Sequence, residues 1–283
     1  MTTISDFKGT VKPDWCPGCG NFAQLTAISG ALAELGIEPK DTTVVSGIGC
    51  SSNLPEYIRA YGFHGIHGRL LPVATAIKWV NPKLTVIGYG GDGDGFNEGT
   101  QHFFHAARRN TDITYIVSDN QIFGLTTGQA SPTSELGMKT KTTPDGNLET
   151  PLDPMTFALT AGATFVARAF SGDVKQLQTL IKKGIQHKGF SFVDVFSPCV
   201  TFNKTNTYDF FRKRVYKLDE TNHDPKDFYK AYEKAKEWGD KIPTGVLYEV
   251  EASRYEERDE VLKTPLIDHP VAKITPEILN EFV

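Results

Sequence analysis

Between residues 42 and 196 the chain repeats one pattern: a short run of β-branched and aromatic residues, then a longer stretch with apolar residues at helical spacing. The runs fall at 42–46, 84–89, 113–118, 164–167 and 190–196, and segments such as Thr43-Val44-Val45 or Ile113-Thr114-Tyr115-Ile116-Val117 read as strands buried on both faces. Two of the other stretches are marked as helices. Residues 21–35 set Phe22, Leu25, Ile28, Leu32 and Leu35 on one face, with Gly36 where a left-handed terminal residue belongs. Residues 171–187 open on Ser171, Gly172 and Asp173, then space Val174, Leu177, Leu180 and Ile181 along a helix. This alternation predicts an α/β fold with a mainly parallel, doubly wound sheet covered by helices on both faces.

The residues with most chemistry follow the strand runs. Cys50 comes after the first run, Gly91-Asp92-Gly93 after the second, Asn120 after the third and Cys199 after the last. Parallel strands put all of these at one sheet edge, the carboxyl edge where open α/β sheets bind ligands. One shared site is therefore expected.

The segment Gly90-Gly91-Asp92-Gly93-Asp94-Gly95 is a tight strand-to-helix turn. Its glycines let backbone approach a diphosphate, and its aspartate suits a hard cation. Gly-Asp-Gly alone is a common turn former. With Asn120 at the next strand end, a magnesium site becomes the stronger reading, in which Asp92, Asn120 and a main-chain oxygen at Ile122 share the cation with phosphate oxygens.

The chain has four cysteines: Cys16 and Cys19 in Trp15-Cys16-Pro17-Gly18-Cys19-Gly20, then Cys50 and Cys199. They are too widely spaced for the compact repeat of a zinc ribbon. Zinc, an iron–sulfur cluster and no metal at all remain open from the thiols alone, since zinc and cluster sites both use four thiolates.

Composition bounds the rest. A length of 283 residues fits one large domain with a tail. A net charge of −4 argues against a general nucleic-acid binder. No apolar run reaches the roughly 18 residues of a membrane span, and the first residues lack the basic and apolar parts of a signal peptide. The cytoplasm is the expected location, and there reduced thiols are better read as ligands than as disulfides.

Several segments in order carry a resemblance. They are Trp15 to Gly20, Gly47-Ile48-Gly49-Cys50-Ser51, Gly62-Phe63-His64-Gly65-Ile66-His67-Gly68-Arg69, Gly91-Asp92-Gly93-Asp94, Asp119-Asn120-Gln121-Ile122-Phe123-Gly124-Leu125-Thr126 and Thr127-Gly128-Gln129-Ala130-Ser131-Pro132-Thr133. Together they resemble the β subunit of 2-oxoacid:ferredoxin oxidoreductases, most closely the 2-oxoglutarate type, over about the first 200 residues. The resemblance implies a thiamine diphosphate-binding fold over residues 1–200, with residues 201–283 as a C-terminal extension that forms a possible subunit interface.

It also implies roles. Cys16, Cys19, Cys50 and Cys199 match the ligands of one [4Fe–4S] cluster, and Asp92, Asn120 and the carbonyl of Ile122 match ligands of Mg2+. Gly93, Asp94, Gly124 and Leu125 match the lining of the diphosphate. Ile48, Gly49, Cys50 and Ser51, with His67, match a segment against the cofactor, and His67 is a candidate donor to phosphate or to the substrate carbonyl. The implied reaction is thiamine-dependent oxidative decarboxylation of a 2-oxoacid with coenzyme A, electrons passing through the cluster to ferredoxin. The carboxylate that activates the thiamine ring is implied to come from an α or fused αγ subunit.

One position departs from the pattern. Many relatives carry a lysine where this chain has Thr127, and that lysine is associated with the acid substrate or coenzyme A; a threonine hydroxyl offers one neutral donor instead. Thr127 lies in a Thr-, Gly- and Pro-rich stretch, residues 126–154, that reads as a long loop. Its Lys139 and Lys141 are candidates to meet coenzyme A phosphates. Beyond Cys199, Tyr208, Phe210, Phe211, Arg212, Lys213, Arg214 and Tyr216 form an aromatic and basic patch, suited to an interface or to packing on its own domain. The tail from Asp219 is charged and reads as partly helical.

Overall fold

The computed structural model describes residues 2–269 and 276–280. Its strands are β1 Thr42–Ser46, β2 Tyr61–His64, β3 Thr85–Gly91, β4 Thr114–Asp119, β5 Ile122–Phe123, β6 Gln129–Ala130, β7 Phe165–Phe170, β8 Ser191–Phe196, β9 Val215–Lys217 and β10 Ile242–Glu249. Eight of them form one sheet in the order β2-β1-β3-β4-β8-β7-β10-β9, and β5 and β6 make a small hairpin. From β2 to β7 all neighbours are parallel; β10 then joins β7 antiparallel and β9 joins β10 parallel.

The helices are α1 Gly20–Glu34, α2 Leu54–Tyr57, α3 Leu70–Val80, α4 Thr100–Arg109, α5 Pro154–Ala161, α6 Val174–Gln186, α7 Tyr208–Arg212, α8 Phe228–Ala235, α9 Tyr255–Arg258 and α10 Pro276–Asn280. α1 and α6 pack together on one face, where Ile28, Leu32, Leu177 and Leu180 meet Val44, Ile87, Ile116 and Val193. On the other face Leu71, Phe103 and Leu159 meet Val45, Val86, Val117 and Phe192. Val44 and Val45 thus serve opposite cores, as the period of two in a strand requires. Among the described residues no helix is long and apolar enough to cross a membrane.

The five expected strands are present with ends within a few residues of those read from sequence. α6 begins at Val174 because Asp173 caps it, its side chain accepting from the Gln176 N–H at 3.0 Å. Gly36 adopts φ +69° just after α1, where the helix-stop reading put it.

The face of α1 differs from the expected one. Ile28 and Leu32 are buried, but Phe22 is 37% exposed, and Asn21, Gln24, Ala27 and Ala31 take the inner positions instead. The cause is polar. Gln24 Nε2 donates to Ser118 Oγ at 2.8 Å and to Ser197 Oγ at 3.0 Å, and Ser118 Oγ donates to Asn21 Oδ1 at 2.8 Å. These bonds fix the start of α1 beneath the ends of β4 and β8, a rotation that an apolar pattern does not encode.

The C-terminal part is partly helical, as expected, and it also adds a strand to the sheet. It supplies α8 but also β10, whose Pro243 and Gly245 look like strand breakers in sequence. Pro243 lies where β10 pairs with β9 alone, before the pairing with β7 begins at Gly245, and Gly245 lies at φ +126° just before the register shift between Val246 and Tyr248. In the aromatic patch, Phe211 is buried and stacks on Phe196 with ring centroids 4.4 Å apart, while Arg214 covers the Phe210 ring. Those residues pack on the sheet of their own chain.

Candidate cofactor site

Cys50, Asp92, Asn120 and Cys199 follow the carboxyl ends of β1, β3, β4 and β8, whereas Cys16 and Cys19 precede β1 at the start of α1. Asp92 follows β3 and is 1% exposed. Its Oδ2 accepts from Ser131 Oγ at 2.5 Å and from Thr133 Oγ1 at 2.7 Å, whereas its Oδ1 takes a long 3.3 Å contact from the Asn120 N–H. Burial pushes the carboxyl pKa up, and the two hydroxyls oppose that shift. Asn120 stands half-buried beside it, its Oδ1 accepting from the Ile122 N–H at 3.1 Å. A buried carboxylate with one under-satisfied oxygen, next to an amide and a turn carbonyl, is a donor set that fits a hard cation.

Asp94 binds backbone. Its Oδ1 accepts from the N–H of Ile48 at 2.9 Å and of Gly68 at 2.7 Å, so it ties the loops after β1 and β2 to the loop after β3. Burial raises its pKa, opposed first by the Gly68 and then the Ile48 hydrogen bond. His67 Nδ1 lies 3.0 Å from Asp94 Oδ1 and 2.8 Å from Glu98 Oε2, within ion-pair distance but without the alignment of a good hydrogen bond. Residues 94–98 form a wide π-type turn, which brings Glu98 to this position.

Close approach explains Gly47 and Gly93. A Cβ on Gly47 would sit 2.0 Å from Asp94 Oδ2, and one on Gly93 would sit 2.4 Å from the Phe123 ring. Gly49 has φ +124°, which carries the chain round to Cys50 and the buried Ser51.

The four cysteines are free and all line one cavity of about 250 Å3, together with Trp15, Asn21, Asn120, Gly124, Leu125 and Phe202. Cys19 caps α1, Cys50 begins the turn after β1, and Cys199 follows β8. Trp15 Nε1 donates to the Cys50 carbonyl at 2.6 Å. Burial pushes the Cys19 thiol up to about 11, and the other three cysteines add to the effect. Cys50 is raised by burial, then by Cys199 and Cys16. Among the described residues no group of three or more His, Cys, Asp or Glu is set to hold a single ion.

Gly124 is where the thiol group meets the Asp92–Asn120 group. A Cβ there would lie 3.6 Å from Asn120 Nδ2, 3.9 Å from Cys199 Sγ and 4.0 Å from Cys50 Sγ. Leu125 is 53% exposed at the mouth, and Thr127 beyond it adopts φ +78°, a strained backbone for a β-branched residue. Lys141 Nζ donates to Thr127 Oγ1 at 3.4 Å, so one of the two loop lysines reaches the cavity mouth.

Known families cover most of this constellation. Residues 47–195 match the model of the thiamine pyrophosphate enzyme C-terminal TPP-binding domain, and residues 199–264 match that of the C-terminal part of the pyruvate ferredoxin oxidoreductase β chain. The chain is 47% identical over 272 residues to the 2-oxoacid:ferredoxin oxidoreductase subunit beta of Saccharolobus solfataricus, covering 92% of this chain and 89% of the relative. The chain belongs to the 2-oxoacid:ferredoxin oxidoreductase β-subunit family.

Other relatives of this β subunit agree. It is 43% identical to the 2-oxoglutarate oxidoreductase subunit KorB of Mycobacterium tuberculosis, over 74% of this chain and 56% of that one. A solved 2-oxoglutarate:ferredoxin oxidoreductase from Magnetococcus marinus, with 2-oxoglutarate, coenzyme A and succinyl-CoA bound, superposes with a TM-score of 0.91 at 43% identity, covering 99% of this chain and 96% of that one. The β subunit therefore carries the TPP-binding α/β fold of an oxidoreductase. Sequence reasoning gave no role to Asn21, Gln24, Ser118 and Ser197 under the thiols. Ser131 and Thr133 carry one sequence signal, two hydroxyls flanking Pro132 shortly after Asn120.

Proposed function

We propose that this β subunit holds thiamine diphosphate, Mg2+ and one [4Fe–4S] cluster, and with its α (or fused αγ) partner oxidises a 2-oxoacid, 2-oxoglutarate first, with coenzyme A as acyl acceptor and ferredoxin as electron acceptor. The observation that carries this reading is the shared cavity wall: Gly124 and Asn120 border the space lined by all four thiols. When bound, thiamine diphosphate supplies a carbon nucleophile and electron sink for decarboxylation, and an adjacent cluster supplies a one-electron acceptor.

The chain's own residues bind and orient. Asp92, Asn120 and the Ile122 carbonyl hold the cation, and Gly93, Gly124 and Leu125 admit the diphosphate. Asp94 holds Ile48 and Gly68 by their N–H groups, and Ile48 leads the segment Gly49, Cys50 and Ser51 that would lie against the cofactor. His67, held near Asp94 and Glu98, is a candidate donor to phosphate or substrate. The choice of 2-oxoglutarate is supported by the KorB relatives and by the ligands of the Magnetococcus structure. Lys141 at Thr127 adds a cation at the mouth that suits an anionic substrate or coenzyme A.

The test is iron, acid-labile sulfide, zinc and thiamine analysis of the complex purified anaerobically, beside its Cys50→Ala variant. Iron and sulfide near four each per β subunit, lost in the variant together with ferredoxin reduction, is the expected result. Zinc without sulfide would refute the electron-transfer role.

A further inference from the structure

Asp92 has two carboxylate oxygens in unlike surroundings. Oδ2 receives two hydroxyls, from Ser131 at 2.5 Å and Thr133 at 2.7 Å, while Oδ1 has the 3.3 Å contact with the Asn120 N–H. An ionised carboxylate offers about four lone-pair sites, two on each oxygen. Thr133 Oγ1 also lies 3.1 Å from Asp119 Oδ1, but its single proton is drawn to the shorter contact with Asp92; the two hydroxyls therefore occupy Oδ2, and Oδ1 is the oxygen open to a cation.

The hydroxyls are held from behind. Ser131, Thr133 and Ser134 are all buried. The Ser131 N–H donates to Ser134 Oγ at 2.8 Å, Ser134 Oγ donates to the Gln121 carbonyl at 2.6 Å, and Gln121 Nε2 donates to the Thr133 carbonyl at 3.3 Å. The Leu152 N–H closes the loop on the Pro132 carbonyl at 2.8 Å. This bracing fastens the hydroxyl pair to the chain segment that bears Asn120 and Ile122, so the lone pairs of Oδ2 stay engaged.

From this geometry we infer that Ser131 and Thr133 are positioning residues that restrict Asp92 to one-oxygen coordination and thereby set a preference for Mg2+ over Ca2+. The inference rests on the reading of Asp92 and Asn120 as cation ligands. Mg2+ demands six ligands in near-octahedral array and suits a single carboxylate oxygen; Ca2+ takes six to eight and gains from a carboxylate that binds through both. Freeing Oδ2 removes the restriction and favours the larger ion.

The test uses the whole complex, stripped of metal by chelation. Equilibrium dialysis of thiamine diphosphate against increasing Mg2+ or Ca2+ gives a half-saturating concentration for each ion, with no turnover involved. In Ser131→Ala and Thr133→Val the ratio of the two concentrations shifts towards Ca2+ by roughly tenfold, the scale of one lost hydrogen bond to a charged group. Thr133→Ser keeps the hydroxyl and restores the wild-type ratio. An unchanged ratio in Ser131→Ala overturns the inference even if Thr133→Val fails to assemble. A wild-type complex that retains thiamine diphosphate equally well without either ion overturns the cation site itself, and the inference with it.

Discussion

Asp94 accepts the backbone N–H of Ile48 at 2.9 Å, and so joins the loop after β1 to the loop after β3. The same oxygen holds Gly68. Asp94→Ala leaves two N–H donors without a partner and is expected to cost about 2–4 kcal/mol, whereas Asp94→Asn keeps an acceptor oxygen and costs less than half of that. Urea denaturation of the two variants checks the order; equal losses would show that the clamp contributes nothing.

The thiols differ in reactivity before any metal is loaded. Cys16 is exposed, while the half-buried Cys19 thiol is pushed up to about 11 and has little thiolate near neutrality. In metal-free protein at pH 7.5, iodoacetamide is expected to modify Cys16 well before Cys19, by about tenfold or more in rate. Peptide mass mapping over time reads the order directly, and comparable rates would contradict it.

Asp194 on β8 is fully buried beside Arg168 of β7, with Nε to Oδ2 at 3.8 Å, and with Asp153 and Asp92 adding negative charge around it. Burial raises its pKa to about 7, above an unfolded value near 3.9. The folded state then holds the extra proton between those values, so this group's contribution to stability is complete below about pH 4 and is lost as pH rises towards 7. The slope is at most about 1.4 kcal/mol per pH unit. Asp194→Asn should flatten it, as followed by denaturant midpoint at pH 5, 6 and 7; an unchanged slope would assign the titration to another group.

Thr127 carries a side chain at φ +78°. Thr127→Gly relieves strain of about 1–3 kcal/mol against a glycine entropy cost of up to about 1 kcal/mol, so the variant is expected to be as stable as wild type or more so. Thermal unfolding of the complex measures this. Kinetics of the same variant with 2-oxoglutarate and pyruvate report whether the hydroxyl that Lys141 meets contributes to the choice of acid.

The parallel strands inside the sheet were legible because they are buried on both faces and so read as continuous apolar runs, and their ends then gathered Cys50, Asp92, Asn120 and Cys199. β2 was not legible: Tyr61-Gly62-Phe63-His64 lies exposed at the sheet edge and has no buried face to write an alternation. β10 was masked by Pro243, which lies where the strand is paired on one side only, and by Gly245, which precedes its register shift. The inner face of α1 escaped because Asn21 and Gln24 are buried to bond serines far away in sequence. The roles of Ser131 and Thr133 escaped for the same reason: a hydroxyl's partner across the fold leaves no local pattern.

The order of the thiols along the chain sets a timetable. Cys16 and Cys19 leave the ribosome early, but Cys199 comes only after β8, the strand lying between β4 and β7. Until that strand is inserted the cavity lacks one wall, and no nascent chain can offer all four sulfurs together. Loading of any group that needs the complete set is therefore a late step in biogenesis, one that follows folding of the sheet.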